Sequence, residues 1–365
     1  MRIVIAGGGT GGHIFPAIAI ANALKAADNS IEILFIGAKG KMEMEKVPQA
    51  GYKREGLDIA GFNRSSLIKN ISLPFKLIRS FFQVRSIFKG FKPDAAIGVG
   101  GYSSFPVLRL AQARRIPTFI HESNSFAGRS NIMLGKKATR VFTGTTGMES
   151  FFPKEKIVIT GNPVRSSITQ STISRSEGLK FFSLDESKKT VLVVGGSLGA
   201  RTINEAIDKR LEDLLNGGLQ VIWQTGKQYQ PRSTVSRGLW VDSFIQQMEY
   251  AYAAADIVVA RSGAMTVAEL CVVNKPVLFV PYPHAAEDHQ TVNARQLVDR
   301  NAAWMISDKE AAEDLVPRII ALANDERTQG EMRNNIASLA RTDADKKIAA
   351  EILKEVRGGK ESSRV

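Results

Sequence analysis

Short apolar, β-branched runs alternate along the chain with segments whose apolar residues recur at helical spacing. The runs lie at 3–5, 31–36, 95–99, 118–121, 141–143, 157–160, 191–194, 221–224, 257–260 and 277–280. Continuous apolar strands, as opposed to alternating ones, are covered on both faces, and helices between them supply the cover. The pattern predicts an α/β protein built on doubly wound parallel sheets. Residues 166–189 are polar, rich in Ser and Lys and poor in strand pattern, and read as a linker with the entry to a second domain. Beyond them the opening device returns: a strand at 190–194, a glycine loop at 195–199 and a helix-period segment at 200–215. Two similar domains facing one cleft are expected, and 365 residues exceed one ordinary core.

The opening stretch, MRIVIAGGGTGGHIFP, is the device in full. A strand runs into Gly7-Gly8-Gly9-Thr10-Gly11-Gly12, and an alanine-rich helix pattern follows at 17–27. Glycines let an anion approach backbone N–H groups, and a helix N-terminus adds partial positive charge. The plain alternative is a tight strand-to-helix turn. Gly7-x-Gly9-x-x-Gly12 also fits the dinucleotide fingerprint by letter, but the second strand ends Phe35-Ile36-Gly37-Ala38-Lys39 with no acid for a ribose. No Gly-Lys-Ser/Thr follows either loop, which excludes a P-loop. A third glycine loop, 98–104, follows another strand; beside the first it makes two cradles that suit a diphosphate, or two plain turns. His121 and Asn124 end a further strand and are expected to point into the same crevice. In the second half Ser262 reads as an N-cap, and Glu269 suits a ribose diol or, more plainly, a solvated helix face. The loop at 281–290 collects His284, Glu287, Asp288, His289 and Gln290 without metal-ligand spacing, and reads as donors for sugar hydroxyls.

Composition narrows the partners. The net charge is +13, with a single cysteine, Cys271, and no run of about 18 apolar residues. A soluble chain in a reducing compartment is expected, with no leader. The charge suits an anionic membrane, a phosphorylated substrate or nucleic acid. Nucleic acid ranks last, since no helix-turn-helix, zinc spacing or stacking motif is present. Residues 60–93 hold seven basic residues (Arg64, Lys69, Lys76, Arg79, Arg85, Lys89, Lys92) and no acid. Leu77, Phe81, Val84 and Phe88 form one helix face, while Phe75, Ile78 and Phe82 spread round to a second. A membrane-docking surface formed by Phe75, Lys76, Ile78, Arg79, Phe82 and Lys89 is expected, against the alternative of a solvated basic face.

Eight segments occur in an order that resembles one family: GGGTGGHIFPAIAIA at 7–21, GVGGYSSFP at 98–106, HESNSFAGRSN at 121–131, GNPVR at 161–165, GGSLGA at 195–200, FIQQM at 244–248, RSGAMTVAE at 261–269 and HQTVNA at 289–294. The resemblance is to the bacterial peptidoglycan N-acetylglucosaminyltransferases, the MurG family, which convert lipid I to lipid II. It implies a GT-B fold of two Rossmann-like domains, at 1–161 (acceptor and membrane) and 162–341 (donor), with a C-terminal helix of about 342–365 returning to the first. It implies UDP-N-acetylglucosamine as donor and the C4 hydroxyl of undecaprenyl-diphospho-N-acetylmuramyl-pentapeptide as acceptor, with no cofactor or metal. The rival on the same architecture is a UDP-N-acetylglucosamine 2-epimerase. By resemblance Ser197 and the helix start at Ala264, Met265, Thr266, Val267 and Ala268 hold the donor, and Glu269 takes its ribose. Ile245 and Arg165 lie near the uracil, and Thr10, Gly11, Gly12, Asn124, His289 and Gln290 near the sugar. Gly8, Gly9, Gly100, Gly101 and Tyr102 are expected on the acceptor diphosphate. Helix N-termini with Arg261 or Arg165 would stabilise departing UDP. His13 is the candidate general base, because imidazole titrates near neutrality. The expected location is the cytoplasmic face of the inner membrane, as a peripheral protein, with other proteins of cell-wall synthesis among its partners.

Overall fold

The computed structural model describes residues 1–61, 71–196 and 198–362. The chain divides into two compact units, Met1–Arg165 with Asp343–Val365, and Ser166–Thr342. The expected division after residue 161 lies four residues earlier; in unit 1, Asn162 Nδ2 donates to Ser123 O at 3.1 Å and the Arg165 guanidinium lies 4.4 Å from the centre of the Phe15 ring.

Unit 1 holds strands β1 (Arg2–Ala6), β2 (Glu32–Ala38), β3 (Lys53–Leu57), β4 (Ala95–Gly98), β5 (Thr118–Glu122), β6 (Arg140–Thr143) and β7 (Ile157–Ile159). Their order is β3-β2-β1-β4-β5-β6-β7, with every neighbouring pair parallel. Unit 2 holds β8 (Lys189–Val194), β9 (Leu219–Gln224), β10 (Leu239–Asp242), β11 (Ile257–Ala260), β12 (Val277–Phe279) and β13 (Trp304–Met305) in the order β10-β9-β8-β11-β12-β13, again all parallel. The winding reverses between β1 and β4 in one sheet and between β8 and β11 in the other. Open parallel sheets bind ligands at such a reversal, beyond the strand C-termini. Helices Gly11–Ala27 and Ser104–Ala113 start there in unit 1, and Arg201–Lys209 and Ala264–Val273 in unit 2.

One face of the unit 1 sheet is covered by helix Gly11–Ala27 and by the last helix, Ala344–Ser362, which places Ile348, Ala349, Ile352, Leu353 and Val356 against Ile3, Ile20 and Leu24. Ion pairs from Arg140 to Glu351 and Glu355, and from Arg357 to Asp28, flank the seam. The opposite face is covered by Leu73–Phe91 and Ser104–Ala113 through Val84, Phe88, Val107 and Leu108. No helix among the described residues is long and apolar enough to cross a membrane.

Two expectations are corrected. Residues 166–189 are not a linker: they form helices Ser166–Thr169 and Arg175–Phe181 of unit 2, the second closed by a Ser174–Glu177 capping box. Phe181 and Phe182 then pack on Tyr250 and Trp240, and Arg175 pairs with Asp256. The segment 200–215 is two helices, Arg201–Lys209 and Leu211–Asn216, parted at Arg210.

Ile352 is fully buried in the seam between the last helix and the sheet of unit 1. Ile352→Ala is expected to lower the unfolding free energy by about 2–5 kcal/mol, the usual cost of a buried Ile truncation, read from urea unfolding of the whole chain.

Candidate active site

In unit 1 the loops after β1 and β4 meet backbone to backbone. Gly8 N–H donates to Gly100 O at 3.4 Å, and a Cβ on Gly101, at φ +82°, would fall 2.5 Å from Gly8 O. A Cβ on Gly100, at φ +99°, would fall 2.7 Å from His13 Cδ2 and Nε2. Both positions need glycine for the approach and for the left-handed backbone. His13 is half-buried in the first turn of Gly11–Ala27, and its Nδ1 lies 3.1 Å from Gly8 O. A carbonyl oxygen only accepts, so Nδ1 carries the proton and Nε2 keeps its lone pair. Burial pushes the His13 imidazole below its ordinary range, while the Gly8 carbonyl and the Glu122 and Glu43 carboxylates act in the opposite direction.

Two buried carboxylates organise these loops, and neither was singled out from the sequence. Glu43 accepts from Gly9 N–H and Ala38 N–H, both at 2.8 Å. Glu122 accepts from Asn124 N–H at 3.1 Å, Asn124 Nδ2 at 3.3 Å, Gly128 N–H at 3.0 Å and Asn131 Nδ2 at 2.8 Å. Asn124 thus reaches its place through Glu122. His121 does not share a crevice with it: at 1% exposure it lies inside the sheet. The expected diphosphate cradle also changes. The Gly8 and Gly9 amides are committed to Gly100 O and Glu43, whereas no hydrogen bond within the described residues uses the amides of Gly11, Gly12, Gly101 or Tyr102. Thr10 is the exposed N-cap of the first helix, and Tyr102 packs its ring over Gly61.

In unit 2 helix Ala264–Val273 starts after β11. Gly263, not Ser262, is its N-cap; the buried Ser262 hydroxyl donates to Gln290 O at 2.8 Å. Met265 and Thr266 present first-turn amides, Ala268 is half-buried, and Val267 is buried beneath. Glu269, buried in the same helix, accepts from Tyr252 Oη at 2.9 Å. Ile245 offers neither side chain nor N–H to a ligand: the side chain is buried, and the N–H donates to Gln224 Oε1 at 3.0 Å. Gln224, also missed, donates through Nε2 to Gly196 O at 3.0 Å and so ties the glycine loop to Ile245. Ser197 lies outside the described residues. Gln290 turns its carboxamide oxygen to Tyr282 N–H at 3.0 Å, and with His289 it begins helix His289–Val298. Just before it, Glu287 and Asp288 hold left-handed backbone, φ 53° and 50°, strain that gathers at ligand sites.

The two arginines expected on the leaving group have other partners. Arg261 Nη1 donates to Val280 O and Pro281 O, each at 3.0 Å, and pairs with Asp308. Arg165 stacks on Phe15 within unit 1. Along helix Leu73–Phe91, Val84 and Phe88 are buried, and Phe75, Ile78 and Phe82 are 74%, 55% and 67% exposed. Lys76 and Lys89 are exposed beside them, while Arg79 pairs with Asp58 at 3.2 Å; Arg64 and Lys69 lie outside the described residues.

Comparison with known proteins matches the glycosyltransferase family 28 N-terminal domain over residues 3–143 and its C-terminal domain over 190–350. A UDP-N-acetylglucosamine–N-acetylmuramyl-(pentapeptide) pyrophosphoryl-undecaprenol N-acetylglucosamine transferase of Phocaeicola vulgatus is 50% identical, over 97% of this chain and 96% of its own. The chain belongs to the MurG family of glycosyltransferases. A transferase of the same name from Cytophaga hutchinsonii is 48% identical over 96% of each chain. The crystal structure of Acinetobacter baumannii MurG matches with a TM-score of 0.74 at 28% identity, over 97% of this chain and 99% of that one. A UDP-GlcNAc 2-epimerase from Neisseria meningitidis shares the fold alone, with a TM-score of 0.68 at 14% identity over 97% and 100%.

Burial holds the His121 pKa down to about 4 from an ordinary 6.5, with His13 lowering it further. Between those values the unfolded chain binds a proton that the folded chain refuses. Stability therefore falls as pH drops from 6.5 to 4, by about 3 kcal/mol from this group. Urea unfolding at pH 7, 5.5 and 4 is expected to show the loss, and His121→Gln to flatten it.

Proposed function

We infer that this chain transfers N-acetylglucosamine from UDP-N-acetylglucosamine to the C4 hydroxyl of undecaprenyl-diphospho-N-acetylmuramyl-pentapeptide, with inversion at the anomeric carbon and no cofactor. The observation that carries the reading is 50% identity, over nearly the whole of both chains, to a transferase named for that reaction. It disfavours the epimerase, which shares only the fold.

In this reading the donor diphosphate rests on the Met265 and Thr266 amides and the N-terminus of their helix, and Glu269 receives the ribose hydroxyls. The acceptor diphosphate rests on the amides of Gly11, Gly12, Gly101 and Tyr102. His13 Nε2 takes the proton from the C4 hydroxyl as its oxygen attacks C1 and the bond from C1 to UDP breaks. The leaving diphosphate carries the negative charge away, met by helix-terminal amides. Labelled UDP-N-acetylglucosamine with a lipid I analogue is expected to give labelled lipid product, equally with and without EDTA. Product from donor alone, or none in any mixture, overturns the reading. His13→Ala is expected to lower kcat by about 100-fold or more at saturating acceptor. Near-normal turnover removes His13 as the base.

The helix Leu73–Phe91 is read as the membrane contact, placing the protein peripherally on the cytoplasmic face of the plasma membrane. An exposed stripe of Phe75, Ile78 and Phe82 flanked by Lys76 and Lys89 supports this. Flotation with anionic vesicles is expected to fail for the Lys76→Glu, Lys89→Glu double variant. Arg79→Glu is expected to matter less, because Asp58 already meets that charge. Unchanged flotation of the double variant removes the lysines from the contact.

A further inference from the structure

Glu43 opens helix Glu43–Gln49, is 3% exposed and lies under the first glycine loop. Room is made for it at two places. A Cβ on Gly8 or on Gly37 would fall on the carboxyl or its stem. Its Oε1 takes the Ala38 N–H and its Oε2 the Gly9 N–H, each at 2.8 Å. The Gly9 N–H belongs to the same peptide unit as the Gly8 carbonyl, and that carbonyl oxygen lies 3.1 Å from His13 Nδ1. The result is one unbroken line: carboxylate, peptide N–H, peptide C=O, imidazole N–H.

We propose that Glu43 is a positioning residue for His13, acting through the Gly8–Gly9 peptide in the way a carboxylate bonded directly to a histidine would. A negative charge at the N–H end of a peptide polarises it and makes its oxygen a stronger acceptor. The stronger acceptor holds the proton on Nδ1, leaves the Nε2 lone pair for the substrate hydroxyl, and stabilises the imidazolium that forms on proton transfer. The other charged or titratable groups acting on the ring are Glu122 at the end of β5 and His121 within it. Glu122 acts on the ring through space: its hydrogen bonds go to Asn124, Gly128 and Asn131. Thr10 Oγ1, at 3.5 Å from Nδ1, is a weaker partner than Gly8 O.

The proposal rests on His13 being the base, and its test separates the two. In full-length protein with 15N-labelled histidine, the neutral His13 ring is expected as the Nδ1–H tautomer, a readout that needs no turnover. The Nε2–H tautomer in the wild-type protein overturns the proposal, whatever the variants do. Glu43→Gln keeps the size but offers one acceptor oxygen for two amides. It is expected to mix the tautomers and lower kcat by about 10- to 100-fold, with KM for UDP-N-acetylglucosamine within about twofold. Losing the negative charge lowers the His13 pKa, so the acid limb of the kcat/KM profile is expected to move to lower pH by about half a unit. Glu43→Asp, which keeps the charge, is expected to restore the limb and part of kcat. An unmoved acid limb and tautomer in Glu43→Gln, even with a reduced rate, leave Glu43 as a loop anchor only and overturn the proposal. Failure of the base reading shows separately, as turnover retained in His13→Ala.

Discussion

The contact on which the first unit's site depends is between two stretches of bare backbone. β1 and β4 are neighbours because the sheet reverses its winding there, so the turns leaving them must touch. They do so at Gly8, Gly100 and Gly101, where a single methyl group at residue 101 would sit on the Gly8 carbonyl. Everything placed above follows from that approach. The Gly8 carbonyl is held where His13 can reach it, Gly100 leaves room for the ring, and two helix starts come to adjacent strands. Unit 2 repeats the solution with other partners. Gly199 and Gly226 close on each other so tightly that a Cβ on either meets the backbone of the other's loop.

Such loops present many amides, and an unoccupied amide is a liability unless something negative meets it. The chain divides the work. Buried carboxylates at Glu43 and Glu122 take the inward amides, from Gly9, Ala38, Asn124 and Gly128. The amides of Gly11, Gly12, Gly101 and Tyr102 take part in no hydrogen bond among the described residues. Fixing the inner set with charge makes the loops rigid before substrate arrives, which lowers the ordering cost of binding. It also sets two anions near His13, whose charges partly offset the burial that lowers the pKa of the ring.

The fold was legible because its central strands are continuous apolar runs; β11 begins and ends where the pattern places it. The strands that escaped, β3, β10 and β13, are edges or near-edges with polar or half-exposed residues, and an edge needs no second apolar face. The helix at Arg175–Phe181 had a readable capping box in Ser174 and Glu177, overlooked under a polar composition. His13 and Glu269 stood out in the sequence because each follows a strand and a glycine, and Asn124 because it closely follows a strand. Glu43 and Gln224 carried no such signal: their role is to satisfy amides on loops distant in sequence, and only the folded chain shows which amides those are.

Arg261 has surroundings that its position in the sequence does not suggest. A guanidinium beside a helix start looks like a clamp for phosphate, yet Arg261 is held by two carbonyls at the end of β12 and by Asp308. Its charge is already compensated where it sits, so pulling it onto a ligand would leave a half-buried carboxylate and two carbonyls without their donor. What remains at the start of helix Ala264–Val273 is the amides themselves and the helix behind them. A fixed dipole of that kind needs no counter-charge and no side-chain rearrangement to meet an anion, and it is on this property that the proposed leaving-group site rests.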